Sequence, residues 1–132
     1  METRIIMNEP LHLFLVEDDL LFAKVLQSVA KTQNIHIDVF HPEFDFDNLP
    51  LDGTYDVGLI DFDLVHLNGT QIASLYDITP LLLISANPEN GRSKIWPKSV
   101  QGFSAKNDGF PRLFAKIRVV ASQNPFITAV AE

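Results

Sequence analysis

Leu11-His-Leu-Phe-Leu-Val-Glu-Asp-Asp19 decides how this chain folds, because a short apolar run ends on three consecutive acids. The pattern returns three times. Val57–Ile60 runs into Asp61, Leu81–Ile84 into Ser85, and the shorter Gly102–Ala105 into Lys106. Short apolar runs with turn signals between them read as strands buried on both faces, which is the habit of parallel sheets. Open parallel sheets bind ligands at the carboxyl ends of their strands, near the point where strand order reverses. If the four runs are neighbours, carboxylates, one hydroxyl and one ammonium converge there. That set suits a divalent cation together with a phosphoryl group.

The bulk properties agree with one enzyme-sized or signalling-sized domain. The 132 residues match a single domain, and a 46% hydrophobic content supports a real core. The net charge of −7 is unevenly placed. Residues 1–63 hold 3 basic and 13 acidic groups, whereas residues 64–132 hold 7 and 4. An acidic chain argues against direct nucleic-acid binding. Acids clustered at strand ends repel one another unless a cation neutralises them. The absence of cysteine excludes disulfides and thiolate metal sites and fits the cytoplasm. No apolar run approaches membrane-span length, and residues 1–10 are too short and too charged for a secretory signal.

Along the chain, residues 1–10 read as a leader, 11–123 as the domain and 124–132 as a tail. Asp18 or Asp19 caps a helix running to about Lys31, with Leu21, Val25 and Val29 at helical spacing. Ile35, Ile37 and Val39 alternate with His36, Asp38 and Phe40, which predicts a strand nearer the edge. Residues 41–56 allow one short helical stretch near Phe44–Leu49. Asn68-Gly69 leads into a short helix of about Thr70–Tyr76. Pro88, Gly91 and Pro97 forbid a regular helix over 87–101. Pro111 opens a last helix with Leu113, Phe114, Ile117 and Val120 on one face. Strand and helix alternate about five times, which predicts an α/β fold with a five-stranded parallel sheet and helices on both faces.

With its elements placed, the chain resembles the receiver domain of two-component response regulators, the CheY-like family. The resemblance rests on Leu13-Phe-Leu-Val-Glu-Asp-Asp19, Tyr55-Asp-Val-Gly-Leu-Ile-Asp-Phe-Asp63 with Asn68-Gly69, Leu82-Leu-Ile-Ser-Ala86 and Gly102-Phe-Ser-Ala-Lys106. It covers about residues 11–121. It implies a flavodoxin-like, doubly wound sheet of order 2-1-3-4-5, with the third and fourth helices here short or irregular. It implies Asp61 as phosphoacceptor, and Mg²⁺, with Mn²⁺ as a substitute, on Glu17, Asp18, Asp61 and the backbone carbonyl of Asp63. Lys106 would contact the phosphoryl oxygens, Ser85 would donate to them, and Phe103 would be the switching aromatic. The implied partners are a sensor histidine kinase or histidine phosphotransfer protein and a downstream protein, with no nucleic acid or membrane and with room for a weak homodimer. Such a chain signals; it is not a metabolic enzyme.

The pattern departs from the family at identifiable places. Val65 stands where proline is usual four residues after the nucleophile, and Asn107 where proline usually follows the lysine. The Lys106–Asn107 bond is therefore expected to be trans, since a non-proline cis bond costs roughly 2.5–4 kcal/mol. The interval of 24 residues from Asp61 to Ser85 is short, which predicts a clipped third helix. Among single residues, Asp19 reads as a helix cap, Trp96 as packing, and His12, His36, His41 and His66 as scattered. Two alternatives remain. Ile60-Asp-Phe-Asp63 is similar to the Asp-x-Asp motif of haloacid dehalogenase-type phosphohydrolases, with Asp61 as nucleophile and Asp63 as general acid/base. The other alternative is a receiver-like scaffold that is never phosphorylated.

Overall fold

Each apolar run forms a strand of one sheet in the computed structural model, which describes residues 10–92 and 95–123. The strands are β1 (Leu11–Val16), β2 (Ile35–Phe40), β3 (Val57–Asp61), β4 (Leu81–Ser85) and β5 (Val100–Ala105). They are all parallel, in the order β2-β1-β3-β4-β5. Asp61 and Ser85 are thus the last residues of their strands, not the first of a loop, and β5 begins two residues before the predicted Gly102. The register pairs Val16 with Ile60, Asp61 with Ile84 and Ser85 with Ala105. The carboxyl ends of four strands therefore lie in one row.

Alternate residues of each strand face opposite cores, as the pleat requires. On one face Leu13, Leu15, Val57, Leu59, Leu82 and Ile84 pack under helices α1 (Leu20–Lys31) and α3 (Phe110–Ala121). On the other, Phe14, Val16, Ile60, Leu81 and Leu83 meet α2 (Gly69–Ala73) and loop residues. Helices cover both faces, but the two layers are unequal. The second layer has only the five-residue α2, and three-residue or five-residue 3-10 turns at Phe46–Asn48 and Pro88–Arg92. The expected short stretch near Phe44–Leu49 and the expected irregular fourth helix are both found. The third helix is shorter than the predicted Thr70–Tyr76.

One helix face was misassigned by spacing. Leu21 and Val25 of α1 are exposed, and the buried residues are Ala23, Leu26 and Ala30, with Phe22 and Val29 partly buried. The segment is apolar on two stripes, and the small alanines permit closer approach to the sheet. Asp19 caps α1 by accepting the Phe22 N–H at 3.1 Å, as expected. The four predicted core residues of α3 are buried. The leader and tail, Pro10 apart, fall outside the described residues. No described helix is long and apolar enough to cross a membrane.

Gly58 shows how tightly the second core is filled. A Cβ there would come within 2.2 Å of the Phe14 ring and 2.7 Å of Leu81. Phe14 is fully buried and stacks on Tyr76 at 5.1 Å, so it has no room to yield. Gly58→Ala is expected to destabilise the fold by about 1–3 kcal/mol, the usual cost of overpacking a core. A urea unfolding midpoint equal to wild type would contradict this packing.

Candidate functional site

The row of strand ends holds two polar clusters. The first joins β1, β3 and β5. Lys106 begins a 3-10 turn directly after β5, and its Nζ lies 2.9 Å from Glu17 Oε1 and 3.3 Å from Asp61 Oδ2. Glu17 is fully buried and Asp61 nearly so. The ammonium also lies 4.2 Å from the centroid of the Phe22 ring, a cation–π contact that steadies the side chain from α1. No peptide bond among the described residues is cis, so the Lys106–Asn107 bond is trans, and Lys106 reaches the acids nonetheless.

Backbone donors hold the remaining carboxylate oxygens. The Asp19 N–H donates to Glu17 Oε2 at 3.1 Å and the Asp63 N–H to Asp61 Oδ1 at 3.1 Å. The Val65 N–H donates to Asp18 Oδ2 at 2.9 Å. This gives the departure at Val65 a physical meaning, because a proline there would lack that donor. Gly69 closes the same loop against β3: a Cβ on it would come within 2.3 Å of the Asp61 carbonyl oxygen. Asn68 and Gln71 complete a capping box beside it.

Glu17, Asp18 and Asp61 each present an oxygen, and these lie within 4.8 Å of one another. Such hard donors, with a side chain on each of two adjacent strand ends, fit Mg²⁺ or Mn²⁺. Burial, and next the neighbouring Asp61 carboxylate, push the Glu17 carboxyl up to about 8, although Lys106 pulls the other way. Burial would lower the Lys106 ammonium, but Glu17 and Asp61 outweigh it and hold it above its ordinary value. Burial thus favours the protonated form of Glu17 near neutral pH, while Lys106 is held in its charged form.

The second cluster lies beside Asp61 at the end of β4. The fully buried Ser85 donates its hydroxyl to Asp63 Oδ2 and accepts from the Asn87 N–H at 3.0 Å. Asn90 Nδ2 donates to both Ser85 Oγ at 2.9 Å and Asp63 Oδ1 at 3.0 Å. Sequence reasoning found Ser85, and gave Asp63 a backbone role in the receiver reading and a side-chain role in the phosphohydrolase alternative, without pairing it with Ser85. It missed Asn90, which lies in an aperiodic turn where nothing in the sequence marks it. Phe103 is partly buried against the second core, 6.2 Å from Trp96 ring to ring. Trp96 is partly buried there too, as expected.

No protein-family profile and no curated protein matches the chain. Solved structures do. The response regulator TrrA of Thermotoga maritima, in complex with Mg²⁺ and beryllofluoride, matches with a TM-score of 0.71 at 17% identity over 83% of this chain and 98% of its own. The complex of the histidine kinase ThkA with TrrA matches with a TM-score of 0.70 at 17% identity, over 83% and 97%. A response regulator of Burkholderia pseudomallei with a phosphorylated aspartic acid, calcium and citrate matches with 0.65 at 14%, over 86% and 69%. The fold is that of CheY-like receiver domains.

The Glu17 proton gives a testable pH dependence. Because its folded value of about 8 exceeds the ordinary 4.5, the folded state binds more protons than the unfolded state between those values. Its contribution to stability is fully present below pH 4.5 and is lost as the pH rises through 8. In chelator, the Tm of wild type should fall across this window, and Glu17→Gln should flatten the fall. Added Mg²⁺ should restore the Tm of wild type at pH 8 and leave Glu17→Gln little changed. A wild-type profile matching the variant at every pH would contradict the assignment.

Proposed function

We propose that this chain is a phosphoacceptor receiver that takes a phosphoryl group onto Asp61 from a histidine kinase or histidine phosphotransfer protein. The carrying observation is the Glu17–Lys106–Asp61 contact with Asp18 beside it, at the carboxyl ends of β1, β3 and β5 in a receiver-type sheet. Three structural neighbours support the reading: one holds Mg²⁺ and beryllofluoride, one is bound to a histidine kinase, and one carries a phosphorylated aspartic acid.

Glu17, Asp18, Asp61 and the Asp63 backbone carbonyl would hold Mg²⁺, or Mn²⁺ in its place. A bound divalent cation supplies charge neutralisation between the Asp61 carboxylate and the anionic donor. In the transfer, an Asp61 carboxylate oxygen forms a bond to phosphorus as the phosphorus–nitrogen bond of the donor's phosphohistidine breaks. The departing imidazole nitrogen keeps the electron pair of the broken bond and regains a proton when needed. Lys106, already on Asp61, would meet the phosphoryl oxygens as a point charge. Ser85 would donate to the phosphoryl group, and Phe103 would report its presence to a downstream protein. The chain would act in the cytoplasm as a switch and not turn over a metabolite. The phosphohydrolase alternative gains nothing from the geometry, because the Asp63 carboxylate is engaged by Ser85 and Asn90.

Intact-mass analysis after incubation with a small-molecule phosphodonor tests this. The expected result is a single Mg²⁺-dependent phosphoryl adduct on wild type and none on Asp61→Asn. Mg²⁺ binding without an adduct would leave a scaffold in place of a receiver. Rapid turnover of a phosphomonoester would favour the phosphohydrolase.

A further inference from the structure

We propose that Asp63 and Asn90 form a clasp that holds the Ser85 hydroxyl away from the phosphoacceptor, and that a phosphoryl group at Asp61 opens it and frees the Pro88–Arg92 turn from Phe103. The inference rests on the reading of Asp61 as phosphoacceptor and adds two positioning residues to it.

The argument begins with the hydroxyl of Ser85. A serine has one O–H donor and two acceptor lone pairs. All three are in use. The proton goes to Asp63 Oδ2, and the lone pairs take the Asn87 N–H and the Asn90 amide. The residue is also fully buried, so no spare hydrogen bond to water is available. Ser85 therefore cannot donate to a phosphoryl group until it lets go of Asp63. The two acceptors compete for one proton, and both are anionic, so the exchange is set by which lies nearer and better aligned. The Asp63 carboxylate would in addition be repelled by a phosphoryl group arriving on Asp61, two residues away.

Asn90 carries the exchange outward. Its Nδ2 bridges Ser85 and Asp63, so any separation of those two breaks at least one of its bonds. Asn90 lies in the middle of the Pro88–Arg92 turn. The next residue, Gly91, lies flat on Phe103: a Cβ on it would come within 2.6 Å of that ring. Phe103 in turn faces the Trp96 ring. A continuous path of contacts thus runs from Ser85 through Asn90 and Gly91 to Phe103 and Trp96. No long helix buffers it among the described residues of the connection from β4, which holds a five-residue turn.

Trp96 is the only tryptophan of the chain, so its emission reads the far end of this path. The experiment compares wild type, Asn90→Ala and Asp63→Ala in Mg²⁺, with and without beryllofluoride, each checked for folding by far-ultraviolet circular dichroism. Wild-type emission should shift when beryllofluoride is added. Each variant should show more than half of that shift before any is added, and little further change afterwards. Asp63 is exposed and Asn90 half-buried, so the two substitutions test the clasp independently should one disturb folding. Backbone amide exchange at residue 87 and across 89–91 gives a second readout: in wild type it should quicken with beryllofluoride, and in each variant it should already be quick without it. Folded variants that keep the resting emission of wild type would overturn the clasp. So would wild-type exchange that stays constant while beryllofluoride binds. If beryllofluoride fails to bind, the phosphoacceptor reading fails. The resting emission and resting exchange of the variants still decide whether Asp63 and Asn90 hold the turn.

Discussion

A half-buried ammonium shared by two buried carboxyl groups is the constraint to which the rest of this structure answers. Lys106 lies 89 residues from Glu17 and 45 from Asp61 in the chain, so the contact exists only when β1, β3 and β5 end at the same level. Taking such charges out of water costs several kcal/mol per ion unless each is paired and hydrogen-bonded. The sheet meets that demand with backbone N–H groups from Asp19 and Asp63 on the other oxygens. With strands spaced about 4.8 Å apart, β5 lies about 10 Å from β3. Only a long, flexible side chain crosses that gap, and the Phe22 ring gives its charged end a fixed place to lie. Lysine is therefore suited to this position, where a shorter cation would not reach.

This arrangement also explains why the cation site and the proton on Glu17 are two states of one balance. Glu17 and Asp61 share one ammonium, with Asp18 close by, and burial together with the Asp61 charge raises the proton affinity of Glu17. Without a divalent cation a proton takes up part of the excess. A divalent cation bound there would take up the same excess. Acids crowded at the strand ends thus carry a cost that such a cation would relieve.

Much of this was legible in the sequence, and the parts that were not have physical causes. The central strands followed from apolar runs that each stop at a polar residue, because burial on both faces leaves little choice of composition; their order in the sheet came from the family resemblance. Glu17, Asp18, Asp61, Ser85 and Lys106 were visible as the residues at which those runs end. The buried face of α1 was not, since Leu21 and Val25 share the four-residue spacing of the true contacts Phe22, Leu26 and Ala30. Tertiary packing selected the stripe with small residues, and spacing alone does not record that choice. The use of the Val65 N–H was not legible either, because its partner Asp18 lies 47 residues away. Asn90 gave no signal at all, because its partner Asp63 is 27 residues away and the turn between β4 and β5 has no period.

The unequal helix layers bear on how information leaves the site. The face under α1 and α3 is closed by two twelve-residue helices packed on aliphatic side chains. The opposite face is filled largely by rings: Phe14, Phe40, Tyr55, Tyr76, Trp96 and Phe103 take up space that longer helices would otherwise occupy. A regular helix would fix the β4–β5 connection through its own backbone hydrogen bonds, independently of the site. A short turn lacks that independence and takes its position from side chains, here Asn90 on Ser85 and Asp63 and Gly91 on Phe103. Shortening the helix thus transfers control of that surface from the backbone to the polar groups beside Asp61. The same proline and glycine residues that break the fourth helix leave the connection answerable to the chemistry of the site.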